Sequence, residues 1–138
     1  MRRALQVKPG VSPSRVGAMK RDYSEFPEDD NGAILWKLRE HGDLLTAPRE
    51  IDFTVILPSE KAALDFAIPC LQSGFKVELN RVDPPLKDGL NWEVLVYTTA
   101  VPSYPDITAL EAALNAQAAP LGGRASGWST LFVPPAKR

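Results

Sequence analysis

Cysteine and histidine occur once each in this sequence, as Cys70 and His41. A lone cysteine excludes an internal disulfide and a cysteine-based metal cluster. A lone histidine with no serine or cysteine beside it offers no nucleophile and base in sequence proximity. No apolar run approaches the roughly 18 consecutive residues of a membrane helix. Arg2 and Arg3 are not followed by the apolar stretch of a secretory signal. Acids are missing from residues 1–21, which hold Arg2, Arg3, Lys8, Arg15, Lys20 and Arg21. Taking those six positives from the formal net charge of −1 leaves −7 on residues 22–138.

That imbalance bears on partners. An acidic body repels nucleic-acid phosphates and suits a basic protein surface. The basic stretch contains Pro9, Gly10, Pro13 and Gly17, the composition of a disordered leader, and Met19 is an alternative start. The expected division is a basic leader over residues 1–24 and one folded domain over 25–138. A chain of 138 residues with 44% hydrophobic content can bury a useful core. The default location is cytoplasmic.

Periodicity sets the elements. In "FPEDDNGAILWKLREHGDLL", Asp30 or Asn31 can cap a short helix whose stripe is Ile34, Leu35 and Leu38, with Gly42 as its stop. Ile51, Phe53, Val55 and Leu57 alternate with Asp52, Thr54 and Ile56, which is strand spacing, and Pro58 ends the strand. Ser59 then caps a helix with the buried face Ala63, Phe66, Ala67 and Cys70. Pro69 inside that face predicts a kink or early unwinding, and Gly74 the stop. "FKVELNRV" and "WEVLVYTTAV" alternate on either side of a loop at 83–91. Ser103 or Asp106 caps a helix carrying Ile107, Leu110, Leu114 and Ala118, which Pro120, Gly122 and Gly123 end. A last strand alternates Trp128, Thr130 and Phe132 with Ser129, Leu131 and Val133.

After the first helix the order is βαββαβ. This is the α+β, ferredoxin-like pattern: a four-stranded antiparallel sheet, order 4-1-3-2, with two helices on one face. The short N-terminal helix is accessory to it.

The search for chemistry yields no catalytic group. His41 in the last turn of its helix complements the dipole, and Cys70 on an apolar face reads as a buried thiol. "LGGRASG" lacks the Lys-Ser/Thr ending of a phosphate loop and reads as a helix stop plus a turn. No metal site and no cofactor is expected. Glu28, Asp29 and Asp30 can contact a basic partner, though helix-start electrostatics also account for them. On the sheet face away from the core, only Tyr97 can stack a base, and no basic patch accompanies it, which argues against RNA recognition. Trp128 follows Gly127, whose freedom and space admit a large indole. Its spacing favours core or edge packing over docking. The partner-binding candidates are therefore Glu28, Asp29, Asp30, Tyr97 and Trp128.

The stretches "FPEDDNGAILWKL", "GDLLTAPREIDFTVILPSEKAALDFA" and "GGRASGWST" together resemble the RraB family. These are regulators of ribonuclease activity B, described as inhibitors of the endoribonuclease RNase E. The resemblance covers roughly residues 26–133, and Ser129 stands where the family often has a second glycine. It implies a ferredoxin-like fold and a small acidic adaptor that binds the nuclease, its scaffold or another degradosome component without cutting RNA. A different class of reading is a dimeric module binding a small ligand or protein through an exposed apolar sheet face of Ile56, Leu95, Tyr97 and Leu131. The sequence leaves the oligomeric state open.

Overall fold

A computed structural model describes residues 20–134. The expectations for residues 1–18 and for Met19 lie outside the described residues. Among the described residues, three α-helices and four strands occur in the order α1 (Asp30–Glu40), β1 (Arg49–Leu57), α2 (Glu60–Gln72), β2 (Lys76–Arg81), β3 (Trp92–Ala100), α3 (Tyr104–Ala118) and β4 (Arg124–Thr130). Among the described residues no helix is long and apolar enough to cross a membrane.

The described chain divides into two compact units. The first takes residues 20–49, 100–108 and 130–134, and the second takes 50–99 and 109–129. The second unit holds the sheet, a four-stranded one in the order β2-β3-β1-β4. Read from the other edge this is 4-1-3-2. β2 and β3 run antiparallel, with Val77 opposite Val96 and Leu79 opposite Val94. Those four side chains therefore share one sheet face.

β1 lies between β3 and β4 and is buried on both faces, so Asp52 and Ile56 are as enclosed as Phe53 and Val55. Asp52 accepts a hydrogen bond from the Ser129 hydroxyl at 2.5 Å. The simple in-and-out alternation expected for this strand does not hold: both faces of β1 are shielded, and the buried Asp52 is accommodated by its bond to Ser129 on the neighbouring strand.

α2 starts where Ser59 accepts from the Ala62 amide at 3.1 Å. It buries Ala63, Phe66, Ala67 and Cys70 as expected. The unwinding expected at Pro69 does not occur: the helix runs on to Gln72 and stops at Gly74, with φ +97°. Proline removes one donor late in the helix, and the Pro69 carbonyl still accepts from Ser73 at 3.0 Å. The packed apolar face outweighs that single lost bond.

β4 departs most from expectation. It begins at Arg124, inside the stretch read as a turn, and ends at Thr130, leaving Leu131, Phe132 and Val133 outside the strand. The reason is where their backbone groups go. The Leu131 carbonyl accepts from Arg49 at 3.0 Å, and the Val133 amide donates to Asp43 at 3.0 Å. Gly127 has φ +111°, and a Cβ there would meet nothing within 4 Å. Its glycine is needed for backbone conformation, not for the room that Trp128 was expected to require.

In the first unit, α1 buries Gly32, Leu35 and Leu38, while Ile34 is exposed. The expected stripe is thus shifted, with a glycine in place of its first apolar member. A Cβ on Gly32 would lie 1.9 Å from the Pro27 carbonyl oxygen. Helix propensity alone would make Gly32→Ala stabilising by about 1 kcal/mol. Backbone cannot yield as a side chain tip can, so we expect the variant to lose stability by about 1–3 kcal/mol. Thermal unfolding followed by circular dichroism checks the sign.

The cap of α1 is Asp29, one residue before the expected Asp30 or Asn31. Its carboxylate accepts from the Gly32 amide at 2.8 Å. Residues 20–24, expected to belong to the leader, are tied to the turn that enters α1. Arg21 donates to the carbonyls of Phe26 and Pro27 at 3.0 and 2.7 Å, and its guanidinium lies 4.7 Å from the centre of the Tyr23 ring.

Candidate functional site

The segment "GDLLTAPR", residues 42–49, builds the most constrained corner of the first unit. Gly42 ends α1 with φ +104°. Asp43 comes next and is 1% exposed, so its charge requires partners. The Arg49 guanidinium forks onto it, with Nη2 donating to Oδ1 at 3.0 Å and Nη1 donating to Oδ2. The Leu45 amide donates to Oδ1 at 2.9 Å, and the Val133 amide to Oδ2. Arg49 also gives its Nε hydrogen to the Ala47 carbonyl at 3.2 Å.

Burial alone pushes the Asp43 carboxyl up, but the Arg49 hydrogen bonds and the Val133 and Leu45 amides outweigh it. The net result is a carboxyl held below its usual 3.8. The same bonds fix Leu45 in the left-handed region, φ +58°, which costs a side-chain-bearing residue about 1–2 kcal/mol. One product of this corner is Leu44, left 54% exposed.

Beside the corner lies a cleft of about 520 Å³. Its apolar lining includes Phe26, Leu35, Leu44, Leu45, Val101 and Tyr104. Its charged lining is Glu25 and Arg39. α1 supplies Leu35 and Arg39, the turn before it supplies Glu25 and Phe26, and the start of α3 supplies Tyr104. The volume is within the range of small-molecule and side-chain pockets.

Two contacts join the first turns of α1 and α3 in this unit. Tyr104 donates its hydroxyl hydrogen to Asp29 at 2.5 Å, and the Asn31 amide donates to the Thr108 hydroxyl at 3.2 Å. The Tyr104 bond, together with the weaker effect of the Gly32 amide, holds the Asp29 carboxyl below the usual carboxylate value. The carboxylate in turn pushes the Tyr104 hydroxyl up.

The expected partner-binding residues are scattered. Asp29 is committed to the helix cap and to Tyr104, while Glu28 and Asp30 are exposed on either side of it. Tyr97 and Trp128 belong to the second unit, and each is only 9% exposed. Lys76 lies 4.4 Å from the Tyr97 ring centre and pairs with Glu50 at 3.1 Å, and the Tyr97 hydroxyl donates to Glu78 at 2.8 Å. This polar cover leaves Tyr97 little surface to offer. Of the four residues expected to form an exposed apolar sheet face, Ile56 and Tyr97 are buried, Leu95 is half-buried, and Leu131 is exposed but outside the strands.

His41 is the C-terminal cap of α1, and its Nδ1 lies 2.9 Å from the Lys37 carbonyl. A carbonyl only accepts, so Nδ1 carries the hydrogen in this contact. Cys70 is buried, which pushes its thiol up, and Gln117 Nε2 lies 3.8 Å from its sulfur. Among the described residues no three His, Cys, Asp or Glu side chains converge as a metal site.

Asp43, Arg49, Glu25 and Tyr104 carry no motif that marks them in the sequence. The usable signal was an acid directly after a helix-ending glycine and a base leading into an apolar strand, since both are then destined for burial and need each other.

No curated protein matches the chain. The family model described as "Regulator of ribonuclease activity B" matches residues 28–130. The match opens in the acidic turn before α1, takes in the Asp43–Arg49 corner and closes on the last residue of β4. With about three-quarters of its length so matched, the chain belongs to the RraB family.

Proposed function

We propose that the protein is a non-catalytic regulator that binds a ribonuclease of the RNase E type, or the scaffold that carries it, in the cytoplasm. The family match over residues 28–130 carries this reading. The charge of −7 on residues 22–138 supports a basic protein surface as the partner and disfavours direct contact with RNA phosphates. In fold terms we read the sheet and helices as ferredoxin-like, supported by the 4-1-3-2 strand order. We read residues 25–138 as the working domain, with Glu28 and Asp30 as partner-facing carboxylates.

The test is cleavage of a labelled RNA by purified RNase E with the full chain added. A slowdown that saturates with added protein is expected, weakening as salt screens the charges, with no retardation of the RNA by the protein alone. Undiminished cleavage, together with no calorimetric binding to the nuclease at low salt, overturns the reading.

A further inference from the structure

We propose that the cleft of the first unit is a docking site for a short basic segment of a protein partner, which places one aliphatic or aromatic side chain among Leu44, Leu45, Val101 and Tyr104. The proposal deepens the reading of the protein as a protein-binding regulator and rests on it.

The cleft is built for an occupant. A buried ion pair and two backbone amides are arranged so that Leu45 sits in a backbone conformation leucine avoids. The outcome is Leu44 held outward at 54% exposure, with Val101 at 40% on the same cleft. Two exposed aliphatic side chains lining the cleft leave apolar surface that insertion of a third removes from water. Tyr104 is fixed in orientation by its bond to Asp29, so its ring is set before anything binds.

Charge selects the occupant. Residues 22–36 contain Asp22, Glu25, Glu28, Asp29 and Asp30 and no basic residue. Glu25 lines the cleft itself, and Glu28 and Asp30 are exposed. Lysine or arginine flanking the inserted side chain pairs with Glu25 and is drawn by the acidic turn that follows it in the chain, whereas an acidic segment or a nucleic-acid backbone is repelled. Arg39, the one cation of the lining, suits a main-chain carbonyl of the segment.

A dye-labelled peptide Lys-Lys-Leu-Leu-Lys-Lys serves as probe for the full chain, with Glu-Glu-Leu-Leu-Glu-Glu and Lys-Lys-Ser-Ser-Lys-Lys as controls. The probe is expected to bind roughly tenfold tighter than either control and to shift the amide resonances of Leu44, Leu45 and Val101. L44E and V101E alter exposed side chains, so unfolding is expected to stay cooperative while probe affinity falls roughly tenfold. Equal binding of all three peptides, or shifts confined to the second unit, overturns the proposal. So does a variant that converts a self-associated wild type to monomer, since the occupant is then a second copy. The failures separate cleanly. A chain that binds the probe but leaves RNase E untouched sinks the proposed function. A chain that slows RNase E equally well with and without L44E sinks the docking site.

Discussion

Asp43→Ala is expected to lower unfolding free energy by about 3–5 kcal/mol, because it strands a buried guanidinium. The Arg49 side chain is 4% exposed and its two terminal nitrogens are turned to Asp43, so no solvent stands ready to replace the carboxylate. The Leu45 and Val133 amides lose their acceptor in the same step. Equilibrium denaturation in urea measures the loss as a lower midpoint. The double variant D43A/R49A is expected to recover part of it, since the stranded charge is then gone.

The pH dependence has a definite sign. Asp43 has a folded-state pKa held below its ordinary 3.8, so it stabilises the native state in full above that value. The contribution fades as pH falls through the lowered folded value. The gap between wild type and D43A is therefore expected to be widest near neutrality and to shrink below about pH 4. A gap that stays constant down to acid unfolding would mean that the ion pair is not the source of the loss.

Phe66→Ala is expected to cost a similar amount, about 3–5 kcal/mol, by a different route. Phe66 is fully buried on α2, and its carbonyl accepts from Gln117 of α3 at 3.3 Å. Truncation removes apolar burial and leaves a void that a helix tied at this level cannot readily close. Leu64, two positions earlier, points outward at 43% exposure. Leu64→Ala is expected to stay within about 0.5 kcal/mol of wild type, apart from its small helix-propensity term. Parallel urea titrations compare the two; equal losses would contradict the assigned faces of α2.

Local signals and non-local ones were unequally legible in the sequence. Ser59, Gly74 and the spacing of Ala63, Phe66, Ala67 and Cys70 carry α2 on their own, because cap chemistry and helical period act within a few residues. The strand order was implied by the pattern of elements. The burial of both faces of β1 was not visible, since period-two alternation marks one face and carries no signal of what covers the other. α1 was placed correctly but turned slightly wrong: its buried face opens with Gly32, and an absent side chain leaves no hydrophobic mark. The end of β4 depended on Asp43 and Arg49, which take the Leu131 and Val133 backbone groups from far along the chain.

The candidate site was hidden for the same reason. Its acidic flank, Glu28 to Asp30, could be read as charge. Its cavity arises where the turn before α1, the corner after it and the start of α3 meet, and no single stretch encodes that meeting. The left-handed Leu45 is the sharpest case, because nothing in a leucine announces that its backbone has been bent against preference. Only the Asp43 carboxylate beside it supplies the cause.

Gly127 bears on how the outer edge of the sheet meets another chain. β4 is an outer strand of the sheet, and a long flat outer strand is a template on which another chain can add. At φ +111° the strand leaves the extended region midway, so its outward amide and carbonyl groups cannot form one unbroken ladder with a newcomer. The opposite border is β2, where Lys76, Glu78 and Arg81 place charges along a six-residue strand. One border is broken by conformation and the other guarded by charge. Runaway strand addition is opposed on both sides, and a substitution at Gly127 that restored an extended backbone would trade local regularity for a tendency to aggregate.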